Sequence, residues 1–308
     1  MALFDKLIAA SLPIVPKPIV RYFSRRYIAG ERLEDAIQVV RELNREGALA
    51  TIDVLGEHVS DPRQTEQAVL AYETVLDAIE AEKLNSNISL KPTQMGLRIS
   101  YELCLENLRR IVRKAASLRN FVRIDMEDST CTSDTIRLYQ DLRKEFNNVG
   151  IALQAYLRRS LRDVEELLAI SPNVRLCKGI YVEPREIAYK DKEIIRRNFV
   201  LLAETLLRGG AYLGFATHDE RLVWEGYRLV RDLHLNPTQY EFQMLLGVDD
   251  QLRRIILRDG HRLRVYVPFG DQWYAYSLRR LRENPQVAGY VFRAIFSRRA
   301  GRRETAPC

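Results

Sequence analysis

Eight short β-branched or apolar runs, each followed by a stretch with helical spacing, constrain this chain more than any other feature. From about residue 48 onward they read ALATIDVL, NISLKP, NFVRIDME, GIALQAYL, NVRLCKGI, AYLGFATH, YEFQMLLG and RLRVYVPF. Between them, sets such as Ala68, Val69, Tyr72, Val75, Leu76, Ile79 and Ile194, Ile195, Phe199, Leu202, Leu206 repeat at steps of three and four. That period predicts helices with one buried face. An earlier helix carrying Leu33, Ile37, Val40 and Leu43 is predicted to stop near Gly47, since glycine readily takes the turn that closes a helix.

A β-then-α unit repeated eight times with no Pro-rich or Gly/Ser-rich linker predicts an α/β fold, one parallel (β/α)8 barrel of the TIM type, which takes roughly 250 residues. The chain has 308 residues. We expect an N-terminal helical extension at 1–47, a catalytic barrel at 48–296 and a basic C-terminal tail at 297–308. Two doubly wound halves would give the same alternation, but with a glycine-rich nucleotide turn or a central linker. Neither GxGxxG nor a phosphate-loop motif occurs.

Hydrophobic residues at 46% and charged residues at 29% suit a soluble chain with a sizeable core. Cys104, Cys131, Cys177 and Cys308 are scattered, with no CxxC pair and no histidine at metal-ligand spacing, so neither a zinc site nor a disulfide framework is expected. The net charge of +7 is too modest to choose a partner. The apolar opening is broken by Pro13, Pro16 and Pro18, interrupted by Asp5 and Lys6, and ends in Arg21, Arg25 and Arg26. It lacks the charge order and cleavage site of a signal peptide. It reads as a helical cover over the core or, more sharply, as a peripheral contact with an anionic membrane surface. Either reading predicts a cytoplasmic protein, the second at the inner face of the cell membrane.

In a closed barrel alternate strand residues point to the lumen, and functional groups gather at the carboxyl ends of the strands. In FVRIDME, helix-facing Val122, Ile124 and Met126 send Arg123, Asp125 and Glu127 inward. The same rule points Ser89, Lys91, Gln154, His218, Glu241, Gln243 and Tyr266 to the lumen, with Asp53 and Glu57 from the first strand. A lumen filled only for stability would hold valine, isoleucine and leucine. Here it offers ionisable and amide groups, which must be paired or bound to something when buried. Arg175 and Lys178 are three apart, so one must leave the strand unless Gly179 makes a bulge; a basic pair followed by glycine suits a phosphate-bearing cofactor. After the last strand, Tyr276, Arg279 and Arg280 share one helix face, where two guanidinium groups can clamp a carboxylate. Taken alone, each of these residues also fits an ordinary ion pair, and the arginine face a solvated helix.

In chain order, LGE (Leu55 to Glu57), LKPTQMG (Leu90 to Gly96), RIDMED (Arg123 to Asp128), QAYLRR (Gln154 to Arg159), RLCKGIY (Arg175 to Tyr181), FATHD (Phe215 to Asp219), EFQMLLG (Glu241 to Gly247), YVPFG and YSLRRLREN resemble the proline dehydrogenase family in its short monofunctional bacterial form. The resemblance implies an FAD-dependent oxidoreductase that converts L-proline to Δ1-pyrroline-5-carboxylate, the first step of proline catabolism, and passes electrons to membrane quinone. It implies that Arg279, Arg280 and Lys91 hold the substrate carboxylate while Tyr266, Tyr276 and Leu245 pack the ring. Asp125 lies beside this set. Arg175, Lys178, Gly179, Ile180, Gln154, Met126, Thr217 and His218 would bind FAD, Arg175 also stabilising negative charge on it, and Glu57 would gate the pocket by pairing with Arg279. Ile180 departs from the usual small residue, and Asp219 stands where asparagine is common. No aldehyde dehydrogenase segment follows, so the second step is expected of a separate pyrroline-5-carboxylate dehydrogenase.

Two other classes compete. A Schiff-base aldolase would use Lys91 or Lys178 but leaves the double arginine less well explained. A nucleic-acid-binding protein would use the net charge but needs aromatics interleaved with basic residues, which the sequence does not show; no nucleic acid is expected.

Overall fold

The computed structural model describes residues 26–56, 59–274 and 276–277. Its strands are β1 (Leu49–Val54), β2 (Ser86–Leu90), β3 (Val122–Ile124), β4 (Val149–Gln154), β5 (Asn173–Cys177), β6 (Tyr212–Ala216), β7 (Tyr240–Leu245) and β8 (Leu263–Phe269). Each pairs in parallel with the next, and β8 pairs in parallel with β1, so the sheet closes on itself. Helix α1 (Leu33–Arg45) precedes β1, and α2 (Pro62–Ala81), α3 (Tyr101–Ser117), α4 (Thr132–Arg143), α5 (Ser160–Leu168), α6 (Lys192–Arg208), α7 (Glu220–Asp232) and α8 (Asp250–Arg258) alternate with the strands. This is the (β/α)8 barrel that the alternation predicts.

Four of the helices start where a side chain takes up an unpaired N–H group. Asp61 accepts from the Arg63 amide ahead of α2, with Pro62 in the first helical position; Ser100 caps α3, Asp191 caps α6 and Asp249 caps α8. On α2 all six predicted apolar positions are buried. On α6, Phe199, Leu202 and Leu206 are buried, but Ile194 is exposed and Ile195 only half-buried. At 3.6 residues per turn Ile194 lies about 140° from Phe199, outside the stripe that faces the sheet. Helix α1 ends at Arg45, and Gly47 follows at φ +87°, the left-handed conformation expected there. It packs against β1 and β8, with Ala36, Val40 and Leu43 in the common core.

Two local features shape the lumen. In the pairing register Gly150 lies opposite Arg123, and Gly214 lies between Arg175 and Glu241. A Cβ on Gly150 would come within 2.5 Å of Arg123 Nη1, and one on Gly214 within 2.5 Å of Gln243 Nε2. These glycines leave the volume that long polar side chains of other strands fill.

At the carboxyl end of β8, Ala29 N–H donates to Pro268 O (3.0 Å) and Gly270 N–H to Gly30 O (3.0 Å). Ile28 then packs with Leu55 and Tyr276 in a small cluster. The expected N-terminal cover with Arg21 and Arg25, the gate residue Glu57, the arginines Arg279 and Arg280, and the basic tail lie outside the described residues. Among the described residues no helix is long and apolar enough to cross a membrane.

Leu76 is fully buried under the sheet, whereas Leu201 is 48% exposed. Leu76→Ala is expected to destabilise the protein by about 2–5 kcal/mol and Leu201→Ala by less than about 0.5 kcal/mol, measured by denaturant unfolding.

Candidate active site

Asp125 leaves the end of β3 with its amide donating to Leu90 O (2.9 Å), which aims it across the barrel mouth. Its Oδ1 accepts from Ser89 Oγ (2.7 Å) and Arg175 Nη1 (2.5 Å), and its Oδ2 accepts from the Tyr266 hydroxyl (2.9 Å). Three strands therefore converge on one carboxylate. Arg175 is fixed on its other edge, where Nε donates to Gln243 Oε1 (2.6 Å), and its guanidinium lies 5.3 Å from the Tyr266 ring centroid, a cation–π distance. Lys91 Nζ donates to both oxygens of Asp53 (3.0 and 3.1 Å) and reaches the Tyr266 hydroxyl at 3.5 Å.

Deeper in the lumen, Gln243 Nε2 donates to Glu241 Oε1 (2.6 Å), and Arg264 grips Glu241 through Nε (2.7 Å) and Nη2 (3.0 Å). Arg123 is buried with no carboxylate partner among the described residues and donates instead to Ile151 O and to Asn173. Lys91, Arg123, Arg175 and Arg264 thus stand against Asp53, Asp125 and Glu241, four cations to three carboxylates. Such a lumen suits an anionic ligand.

These contacts sort the protonation states. Burial pushes the Tyr266 hydroxyl far above its ordinary range, and the charges of Asp125 and Asp53 push the same way, so it remains a neutral donor. Burial also raises Asp53, against the pull of Lys91. Burial alone would raise Glu241, but the Arg264 pair overcomes it and holds the carboxyl down to about 2. Burial pushes the Cys177 thiol up to about 11, which leaves it inert at neutral pH.

A cavity of about 430 Å³ opens over this network at the carboxyl ends of the strands. Lys91, Asp125, Met126, Gln154, Arg175, Lys178, Gly179, Ile180, Thr217, His218, Leu245, Tyr266 and Tyr276 all line it. The strand rule misplaces two neighbours. Met126 was expected on the helix side, but β3 ends at Ile124 and alternation no longer governs it. Glu127 was expected inward; it instead accepts from the Thr93 amide (2.9 Å) and hydroxyl (2.6 Å), tying the β2–α3 loop to the chain after β3. Lys178 lies just past the end of β5, which resolves its clash of parity with Arg175.

At the rim, Lys178 Nζ and Arg196 Nε both donate to Asp219 Oδ2 (3.0 and 2.8 Å), and these cations hold the Asp219 carboxyl below its ordinary range although burial opposes them. The residue that departs from the family pattern therefore neutralises part of the basic rim. Gly179 sits at φ +107°, and a Cβ there would strike the Tyr156 ring at 2.1 Å, so no other residue fits this turn. His218 Nε2 accepts from the Leu245 amide (2.8 Å) and fixes that residue at the wall.

Thr51 and Arg264 also line the cavity without having been singled out. Each shares the parity of a chosen neighbour, Asp53 or Tyr266, but lies two residues deeper than that neighbour. Thr51 Oγ1 and Gln154 Oε1 are buried with no hydrogen-bond partner among the described residues. Both stand in the cavity lining, where a bound group would satisfy them.

Residues 36–293 match the family model described as proline dehydrogenase. The chain is 37% identical over 278 residues to proline dehydrogenase 1 of Bacillus subtilis (strain 168), covering 90% of this chain and 92% of that protein. It is 35% identical over 299 residues to the proline dehydrogenase of Deinococcus radiodurans, covering 93% and 96%. Among solved structures it resembles proline utilization A from Bdellovibrio bacteriovorus inactivated by N-propargylglycine, with a TM-score of 0.79 and 25% identity over 85% of this chain. The match spans 32% of that longer chain.

Because Glu241 titrates near 2 in the folded protein rather than at its ordinary 4.5, its pair with Arg264 stabilises the fold fully above about pH 5 and loses that contribution as pH falls toward 2. Urea unfolding from about pH 6 to about pH 2.5 is expected to show a shallower acid loss in the double variant Glu241→Gln, Arg264→Met than in the wild type. Equal slopes would contradict the assignment.

Proposed function

The chain belongs to the proline dehydrogenase family and is an oxidoreductase acting in the first step of proline catabolism, and from that premise we propose that it oxidises L-proline to Δ1-pyrroline-5-carboxylate with FAD as acceptor and membrane quinone as the destination of the electrons. The observation that carries the reading is the cavity itself. It joins an excess of positive charge to buried polar atoms that lack partners, over a network that holds Asp125, Arg175 and Tyr266 in fixed positions.

The donor set fits a flavin. Arg175 spends Nε and Nη1 on protein partners, and Nη2 has none among the described residues. That leaves one N–H edge of a cavity-lining cation for a ligand. Gln154 offers an amide to the polar edge of a planar ring, with Met126, Thr217 and His218 beside it. Lys178 and the Gly179–Ile180 backbone suit the phosphate-bearing end, as a basic residue next to an open turn does.

FAD, when bound, supplies a two-electron acceptor for the hydride on the proline carbon next to nitrogen. The chain's residues do the rest. Lys91, oriented by its pair with Asp53, anchors the substrate carboxylate together with Arg279 and Arg280. Leu245, Tyr266 and Tyr276 wall the pyrrolidine ring. Enclosure strips water from the amine and disfavours its ammonium form, which frees the nitrogen lone pair that must stabilise the developing imine. Arg175 offsets the negative charge that arrives with the hydride. By the family resemblance Glu57 would gate the pocket by pairing with Arg279.

The quinone step supports a cytoplasmic protein that meets the inner face of the membrane peripherally, through the apolar N-terminal stretch and its arginines. The product goes to a separate pyrroline-5-carboxylate dehydrogenase. The relatives that match nearly end to end carry the name proline dehydrogenase alone.

The visible spectrum of the purified protein is expected to show a flavin band that bleaches on anaerobic addition of L-proline. A band that persists would reassign the substrate. A colourless protein that FAD cannot reconstitute, together with a lysine trapped by borohydride, would move the assignment to a Schiff-base aldolase. Lys91→Met is expected to lower kcat/KM for proline about ten- to hundredfold, the worth of one charge-assisted hydrogen bond. An unchanged kcat/KM would remove Lys91 from the carboxylate site.

A further inference from the structure

Arg175 is the cation through which the lumen meets its ligand, yet nothing in its own strand fixes its orientation. The neighbouring residues on either side of it in the register are Ala152 on β4 and Gly214 on β6, neither of which can donate or accept through a side chain. Its position comes from farther away. On one edge Nη1 is held by Asp125 and Ser89, and on the other Nε is held by Gln243 Oε1 at 2.6 Å.

An amide can present either its oxygen or its nitrogen, and if Gln243 turned over it would put an N–H against the Arg175 N–H. Glu241 prevents this: its Oε1 accepts from Gln243 Nε2 at 2.6 Å, so the amide nitrogen is committed to one side. Glu241 is in turn gripped through two nitrogens of Arg264, whose Nη1 is anchored on Ala50 O (2.6 Å). A carboxylate in this setting stays ionised, and an ionised carboxylate only accepts, so the polarity of the whole chain is fixed. The missing side chain at Gly214 supplies the space, since a Cβ there would sit 2.5 Å from Gln243 Nε2 and 2.9 Å from Cδ.

We propose that Glu241 and Gln243 are positioning residues, a hydrogen-bond relay in which Arg175 donates to Gln243 and Gln243 donates to the Glu241 carboxylate held by Arg264, which orients Arg175 and leaves its Nη2 edge to the bound group. Neither residue acts on the substrate. Both act through Arg175, and Gly214 is part of the device because it keeps the amide where the relay needs it. The inference rests on the flavin-dependent reading of the cavity and adds to it the elements that set the orientation of its central cation.

The test is a double-mutant cycle in the full-length, FAD-loaded protein. It uses Gln243→Met, close in shape but unable to relay, Arg175→Met, and the pair together. Two quantities are measured: the midpoint potential of the bound flavin, and the rate of anaerobic flavin reduction by L-proline. Gln243→Met is expected to shift the potential in the same direction as Arg175→Met and to slow reduction about tenfold. In the Arg175→Met background it should leave the potential unshifted and change the rate less than about twofold, because the relay then has nothing to orient.

Rate effects that multiply, or potential shifts that add, in the double variant would overturn the proposal and reduce Gln243 to packing. Gly214→Ala keeps every polar group and gives an independent check. It should reproduce a weaker form of the Gln243→Met shift, again only when Arg175 is present, and a Gly214→Ala protein with wild-type potential and rate would contradict the relay. If the wild-type flavin is not reduced by proline, the substrate reading fails while the cycle on the potential still decides the relay.

Discussion

A guanidinium and a carboxylate placed in the middle of a barrel are the interaction on which the rest of this structure depends. Removing either charge from water costs several kcal/mol, and a single partner seldom returns it. Asp125 accepts three hydrogen bonds from three strands, and Arg175 is bound on two of its edges. Those partners arrive only if the sheet closes with β8 against β1, because Tyr266 reaches Asp125 near β2 and β3 from the last strand. Closure and charge pairing are therefore one requirement.

The same requirement explains why the lumen departs from the apolar filling usual in such barrels. Glycines at 150 and 214 remove side chains where arginine and glutamine from other strands must pass. The apolar work is transferred to the outer layer, where helix faces such as that of α2 bury their stripe against the sheet. Stability thus resides mainly between sheet and helices, and the interior is left to bind.

Much of this is legible in the residues. Eight runs and their helices follow from period alone, and alternation identifies Lys91, Asp125, Gln154 and Tyr266 as inward, whereas between Arg175 and Lys178 it says only that one must leave the strand, and β5, ending at Cys177, keeps Arg175. Alternation fails where a strand stops early. Met126 and Glu127 exchange the sides that parity assigns them, since β3 is only three residues long. It also passes over Thr51 and Arg264, which obey parity but lie deep. Pairing is less visible still. That Arg264 meets Glu241, or that Gln243 must turn its oxygen to Arg175, depends on the stagger between strands, which period alone does not fix. The roles of Glu57, Arg279 and Arg280 come from family resemblance, and these residues lie beyond those described.

The lumen network holds Asp125, Arg175 and Tyr266 in place before any ligand binds, so that binding requires little rearrangement. Crystal structures of the protein with and without FAD test this most directly. The Arg175–Asp125, Arg175–Gln243 and Tyr266–Asp125 hydrogen bonds are expected to persist in both, with atoms displaced by less than about 0.5 Å. An Arg175 that abandons Asp125 or Gln243 when the cofactor enters would contradict it.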